Sequence, residues 1–371
     1  MKDDVLSICE KNFLLKIVSE GHRLDGRSYN ESRKYDVSFG SDYGSCVVSL
    51  GETKVLAQVS CEIVQPKQIR PNEGILYINV EISSMASPQF EANRQTHLSV
   101  YLNRLLEKCY KDSKCVDLES LCIVVEEKVW SLRVDVKVLN HAGNLIECAS
   151  IATVTALAHF RRPDVTRSGD IVTVHSLVER DPIPTVLYHY PICVTFAVFG
   201  EDTLISDPNL MEESVCTTNT DENVNAARGL LVIGMNQYKE ICLLNLSGAA
   251  VNNSNIVHKA IASAATRCKD IVDFVKKAII IDDNLRRKRT KVNFAETISN
   301  DHILALSRRD LSIKLKSNTL YDQTEKEHME LDKEDPEPSK YDVKPTLPLT
   351  AEVASKGVSK WVEISSDSEE D

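Results

Sequence analysis

The stretch from Leu121 to Ala158 constrains the fold more than any other. Trp130, Leu132, Val134, Val136 and Val138 alternate with Ser131, Arg133, Asp135 and Lys137. Successive strand side chains point to opposite faces, so this period of two predicts a half-buried strand. Asn140-His141-Ala142-Gly143-Asn144 then breaks the pattern. Ile146 to Ala158 follows, small and apolar almost throughout and free of Gly and Pro. That composition predicts a buried helix. A strand passing through a glycine turn into a helix start is a place where oxyanions bind, because first-turn N–H groups lack partners. The chemistry left to this turn decides what the chain can do.

The flanking segments supply further elements. Ser7 and Glu10 have capping-box spacing ahead of Phe13, Leu14, Ile17 and Val18, which predicts a short amphipathic helix stopped at Gly21. Arg23-Leu24-Asp25-Gly26-Arg27 reads as a turn. Cys46–Leu50 and Val55–Val59 flank Gly51-Glu52-Thr53-Lys54, a hairpin with a four-residue loop. Leu76, Ile78, Val80 and Ile82 mark another strand. Leu98, Leu102, Leu105 and Cys109 mark a helix with one buried stripe. In the second half, Pro191–Phe199, Thr203–Ser206, Gly229–Gly234 and Glu240–Leu246 read as strands. Val257, Ile261, Ala264, Cys268, Ile271 and Val275 stripe a long helix capped at Asn253 or Ser254. Asn209 to Arg228 is mostly polar without a clear period and reads as a surface loop. A last weakly helical segment reaches Leu306.

Charge is distributed unevenly. The 371 residues carry a net charge of −11. Residues 311–371 hold 15 acidic and 8 basic side chains, so the acidity belongs mostly to the tail and the body leaves room for local basic strips. The tail is charged and dotted with proline. It cannot bury enough surface to offset its ordering entropy, so disorder is expected there. The 11 cysteines form no CxxC pair and several sit in apolar runs, as reduced thiols in a cytosolic or nuclear compartment do. No cofactor or metal is expected, since Cys109, Cys115 and Cys122 lack paired ligand spacing. The charged opening Met1-Lys2-Asp3-Asp4 predicts no signal peptide, and no apolar stretch is long enough to span a membrane.

At Arg23–Arg27, and at the strand–turn–helix ending in Ala149-Ser150-Ile151, the chain resembles the ribonuclease PH family. Within that family it is similar to the catalytically silent ring subunits of the eukaryotic RNA exosome. The resemblance runs through Glu73–Leu76, Leu102–Leu105, Asp117–Cys122, Glu127–Trp130, His159–Val165 and Gly229–Ile233, and covers residues 5–300. It implies an α+β, ribonuclease PH-like fold of two β-α-β-α halves, like domain 2 of ribosomal protein S5. The expected organisation is an N-terminal helix and turn over 1–28, a first half over 29–190, a second half over 191–306 and the disordered acidic tail over 307–371.

Active members hold phosphate in a Gly-Gly-Thr-Arg type turn. The corresponding residues here are Asn144, Leu145, Ile146 and Glu147, so a carboxylate stands where the phosphate-holding arginine would be, and like charge repels the ligand. Active members also carry an acidic pair. Asp207 matches its first member, and Arg228 stands at the second. The resemblance therefore implies no enzyme, but a non-catalytic subunit that threads single-stranded RNA for 3′–5′ degradation and processing (rRNA maturation, mRNA decay). Its implied partners are the other ribonuclease PH-like exosome subunits, in a heterodimer with exosome component four and a six-member ring, together with cap subunits and a separate 3′–5′ nuclease. Its implied location is nucleus, nucleolus and cytoplasm. The rival reading is an active phosphorolytic exoribonuclease, alone or in a composite site with a ring partner.

Lys67, Arg70, Arg94 and Arg104 are the candidate RNA contacts, set against the alternative of solvated charges. His141 reads as structural, since no nucleophile with an orienting acid stands beside it. Arg286–Arg289 reads either as a nuclear-import or RNA patch or as a charged helix face. Val362 and Ile364, ahead of serines and acids, resemble a SUMO-interacting motif that would add a strand to a partner's sheet.

Overall fold

The computed structural model describes residues 6–91, 94–168, 171–176, 179–200, 203–217, 228–248, 254–288, 343–347 and 350–353, with side chains left out for 171, 217, 228, 248, 343–347 and 350–353. The chain divides into two compact units, Met1–His302 and Ile303–Asp371.

Helix α1 (Ile8–Ser19) begins at the capping box the sequence predicts. The Ser7 side chain accepts from the Glu10 N–H, and the Glu10 carboxylate accepts from the Ser7 N–H. The first sheet contains β1 (Tyr35–Phe39), β2 (Ser45–Leu50), β3 (Thr53–Val64), β4 (Ile75–Ile82), β5 (Cys122–Val124) and β6 (Lys128–Asn140). Its strand order is β1-β2-β3-β6-β4, with β5 against β6. All neighbours are antiparallel except β4 and β6. A parallel neighbour needs a crossover, and α2 (His97–Glu107) provides it. Cys109, expected on this helix, instead falls in the π-helical turn that follows it. The β2–β3 hairpin is tighter than the sequence suggests. Leu50 pairs with Thr53, so the loop has two residues rather than four, and Gly51 supplies the positive φ (+58°) such a turn requires.

Helix α3 (Leu145–His159) is buried at every residue but Ala158. It touches β2 and β3 on one side and β11 (Ile192–Phe199) on the other, which explains an apolar sequence without a polar face. Before β11, short strands β7 (Arg161–Arg162) and β10 (Ile183–Pro184) pair, as do β8 (Val165–Ser168) and β9 (Ile171–Val174). The second sheet adds β12 (Thr203–Ser206), β13 (Arg228–Met235) and β14 (Ile241–Gly248), in the antiparallel order β12-β11-β13-β14. All eight β11 side chains are buried because both faces are covered. Phe196 and Val198 join the main core with α3. Ala197 and Phe199 pack with Leu14 and Val18 of α1 and with Val215 and Cys216.

Those last two residues correct the sequence reading. Asn209–Arg228 is not loop throughout, because Leu210–Thr217 forms helix α4 with Glu212, Val215 and Cys216 buried. Its periodicity is hidden because one of its buried positions is a carboxylate. Helix α5 (Ser254–Arg287) is longer than its apolar stripe, and its first buried positions are Ile256 and Ala260 rather than Val257 and Ile261. Its last turns are pinned by polar groups. The Gly44 N–H donates to His159 Nδ1 at 3.1 Å, which leaves the ring proton on Nε2, 3.0 Å from Asp282. Arg286 bonds Asp282 at 2.6 Å and the Ser41 carbonyl at 2.6 Å, so it is a structural cation. The weakly helical segment expected up to Leu306 lies outside the described residues beyond Lys288.

Within 307–371, where disorder is expected, Val343–Leu347 (β15) and Thr350–Val353 (β16) pair antiparallel. Val362 and Ile364 lie outside the described residues. All eleven cysteines are free thiols.

Candidate functional site

The turn between β6 and α3 is built by two residues with left-handed backbone, Gly143 (φ +95°) and Asn144 (φ +51°). It faces Asp207, also left-handed (φ +51°), which follows β12 directly. Asn and Asp tolerate this region better than most side chains, so the conformation fits both residues.

Asn144 joins the two candidate carboxylates. Its Nδ2 donates to Glu147 Oε2 at 2.8 Å and to Asp207 Oδ1 at 2.7 Å. The flipped amide would aim oxygen at both acids, so the orientation is fixed by charge. Asp207 takes every other bond from arginine. Arg33 gives its backbone N–H (2.8 Å), Nε (3.0 Å) and Nη2 (2.8 Å), and Arg27 gives Nη1 (2.9 Å). Burial alone would raise the Asp207 pKa, but the Arg33 hydrogen bonds and charge hold it far below the usual carboxylate range. Arg33 also ties down the turn itself, donating to the Ala142 and Gly143 carbonyls.

Glu147 is fully buried and pairs with Arg267 of α5, whose Nε lies 2.7 Å from Oε1. Burial pushes its pKa up, and the Arg267 charge pulls it only part of the way back. The first N–H of the turn is taken as well, since Asn144 N donates to Glu213 Oε2 at 3.0 Å. Burial raises the Glu213 pKa too. Behind these groups, Arg23 sets all five of its N–H donors. Nε and Nη2 grip Glu212 at 3.0 and 2.7 Å, Nη1 reaches the Glu31 and Ser206 carbonyls, and Nη2 reaches the Asp207 carbonyl. The Arg23–Arg27 turn is thus a clamp on the segment 206–212.

The remaining candidates are dispersed. β3 pairs Val64 with Val129 and Lys54 with Asn140, so the two ends of β6 stand ~35 Å apart along the strand. Lys67 and Arg70 follow β3 at the Val129 end, and Arg70 pairs with Glu73. Arg94 follows β4 at the end nearer the turn and pairs with Glu91. Arg104 is exposed on α2 and makes no ion pair among the described residues. Arg228 opens β13 opposite Phe199. His141 stacks loosely on Phe90 (6.1 Å), and burial pushes its pKa down to about 4, which suits a neutral structural ring. Sequence reasoning missed Arg33, Arg267, Glu212 and Glu213. Four acids and four arginines of matching number were visible, but nothing local pairs positions so far apart in the chain.

The titrations have opposite signs. Asp207, with a lowered folded pKa, contributes stability present above about pH 4 and lost as pH falls further. Glu147 and Glu213, with raised folded pKa values, keep protons that the unfolded chain has released, so acidification from neutral toward about pH 5 favours the folded state. The thermal midpoint is expected to hold or rise from pH 7 to about 5 and to fall below about 4. Glu213→Gln should flatten the upper limb alone. A steady fall from pH 7 downward would contradict this assignment.

The chain matches the two domains of a known class of nucleases. Residues 31–163 match the 3′ exoribonuclease family (RNase_PH), domain 1, and residues 189–266 match its domain 2. The chain belongs to the 3′ exoribonuclease family. It is 43% identical to the exosome complex component RRP45 of Bos taurus over 374 residues, covering 100% of this chain and 81% of that one. It is 48% identical to exosome complex component RRP45 of Danio rerio over 316 residues, covering 85% and 78%. Its fold is similar to a chain in the structure of the Archaeoglobus fulgidus exosome with RNA bound to the active site, with a TM-score of 0.61, 22% identity and coverage of 71% and 97%.

Proposed function

We propose that this chain is a ring subunit of an RNA exosome that performs no phosphorolysis itself and guides single-stranded RNA toward a separate 3′–5′ nuclease. The likeness to exosome complex components RRP45 over the whole chain supports the ring role. Within that role, the sequence resemblance favours exosome component nine, paired with exosome component four in a six-member ring below cap subunits, acting in nucleus, nucleolus and cytoplasm.

One observation carries the non-catalytic part of the reading. The slot at the start of α3 is filled by the chain's own acids. Glu213 takes the Asn144 N–H, and Glu147 and Asp207 share its side-chain amide. Phosphate would meet three carboxylates there, and repulsion between like charges at contact distance in a dry site opposes binding strongly. Asp207, saturated by Arg27 and Arg33, has no free lone pair positioned for proton transfer. RNA guidance then rests on Lys67, Arg70, Arg94 and Arg104. Contacts of that kind track the backbone without reading sequence and weaken steeply with salt.

The test is direct. The full-length chain, alone and with its ring partner, is incubated with a short RNA and phosphate. No nucleoside diphosphate is expected above background. Glu147→Arg is expected to give none either, because it sets two arginines against each other and leaves Glu213 on the turn. Diphosphate release that disappears with Asp207→Ala would establish the active exoribonuclease instead.

A further inference from the structure

A cleft of about 630 Å³ opens where the connection from β3 to β4 meets the π-helical turn Lys108–Asp112. It lies at the Val129 end of β6, away from the charged turn before α3. Its rim carries Tyr188, whose side chain is 59% exposed. The backbone there is held in place. The Tyr188 N–H donates to the Cys115 carbonyl at 2.9 Å, and Leu187 bridges to Val116.

The charges round this rim are unequally engaged. Arg70 pairs with Glu73 at 3.0 Å, and Asp117 Oδ1 accepts from the N–H groups of Glu119 and Ser120 at 3.1 and 3.3 Å. Lys67, Lys111 and Lys114 are exposed and make no ion pair among the described residues. Asp112 and Glu119 are the acids left to set against these three cations. Tyr188 also differs from the other exposed tyrosines among the described residues, Tyr77 and Tyr238. Tyr77 lies within β4, paired along its length with β6. Tyr238 sits in the tight turn between β13 and β14, its N–H held by Asn236 Oδ1 at 3.0 Å. Tyr188 is on the longer connection 185–191, where a modifying enzyme can grasp the chain.

We propose that Tyr188 is a phosphorylation site whose phosphate is held in cis by Lys67, Lys111 and Lys114. A protein tyrosine kinase supplies the reaction from ATP. Tyr188 Oη bonds the γ-phosphorus, the bond from that phosphorus to the β–γ bridging oxygen breaks, and ADP leaves. The hydroxyl proton passes to the kinase's catalytic carboxylate. The product carries about −1.5 to −2 charges at pH 7 and three acceptor oxygens. Before modification the hydroxyl donates to Asp117, and that carboxylate keeps the proton on Tyr188 above the usual tyrosine range. After modification like charges meet, so the side chain turns away from Asp117. The unpaired cations round the same cleft are the three lysines, and their ammonium groups suit the phosphate oxygens. The phosphate then ties 185–191 to the π-helical turn and to the connection at Lys67. Lys67 is also a candidate RNA contact. Competition with RNA there rests on the ring-subunit reading; the modification site does not.

The experiment uses the full-length chain. A tyrosine kinase domain with magnesium and ATP is expected to label Tyr188 in the folded protein, as read by mass spectrometry. Phosphotyrosine is then installed at position 188, or at 238 as a control, by amber suppression, and phosphorus NMR follows its second ionisation. That ionisation falls near about pH 6 when nothing holds the phosphate. At 188 the midpoint is expected at least about half a unit below that of the same chain unfolded in urea. At 238 it should match the unfolded value. Lys111→Gln with Lys114→Gln, both at exposed positions, should reverse most of the shift at 188 while circular dichroism stays unchanged. No labelling of Tyr188 in the folded chain, a midpoint at or above the unfolded value, an equal shift at 238, or a shift undiminished in the folded double variant would each overturn the proposal.

Discussion

Replacing Arg23 by methionine is expected to lower the thermal midpoint of the folded body by roughly 10 °C or more. Methionine keeps much of the volume, so the loss is electrostatic rather than a cavity. Glu212 has no exposure, and its two oxygens rest on Arg23 at 3.0 and 2.7 Å. Without the arginine a buried carboxylate is stranded, which costs about 3–5 kcal/mol in comparable pairs. The Ser206 and Asp207 carbonyls lose donors at the same time. Adding Glu212→Gln should recover part of the stability, because the two residues share one interaction and their effects are not additive. A single-variant loss below about 1 kcal/mol, the value usual for exposed pairs, would show that this contact is solvated rather than buried.

Gly143→Ala is the second large effect. At φ +95° an L-residue is strained, which costs about 1–3 kcal/mol. The added Cβ would also lie 2.4 Å from Leu210 N and 2.6 Å from the Asn209 carbonyl carbon, both backbone atoms that cannot rotate away. Forcing them apart adds about 1–3 kcal/mol more and moves α4 off the turn. Gly200 provides the control, since it shares a positive φ (+65°) but has nothing within 4 Å of its virtual Cβ. Chemical denaturation of the two alanine variants should therefore show a loss at Gly143 about twice that at Gly200. Equal losses would mean that the turn and the start of α4 are not in contact.

Both predictions concern contacts between segments some 70 to 190 residues apart, and that separation marks the limit of what the sequence discloses. The period of two was enough to place β6, because its side chains repeat at the period of the backbone that carries them, and an unbroken small apolar run was enough to place α3 as a buried helix. The capping box at Ser7 and Glu10 was equally legible, being a contact over three residues. Helix α4 was not. Its buried Glu212 looks like a surface charge until Arg23 is brought to it, and the fold that brings them together spans nearly the whole first unit. The acid at 147 was also plain in the sequence, but its setting was not. Its place in the first turn of a helix does not disclose its surroundings, and only the fold buries it against Arg267.

The sequence by itself determined the family, the alternating strands, the buried central helix and the acid at position 147, since each is written in neighbouring residues or in motifs kept in order. Only the tertiary structure decided that the turn before α3 is met by Glu213, Glu147 and Asp207 and that these segments are held by Arg23, Arg27, Arg33 and Arg267. Ion pairs depend on distance in space, and residues far apart in the chain acquire that distance only when the chain folds.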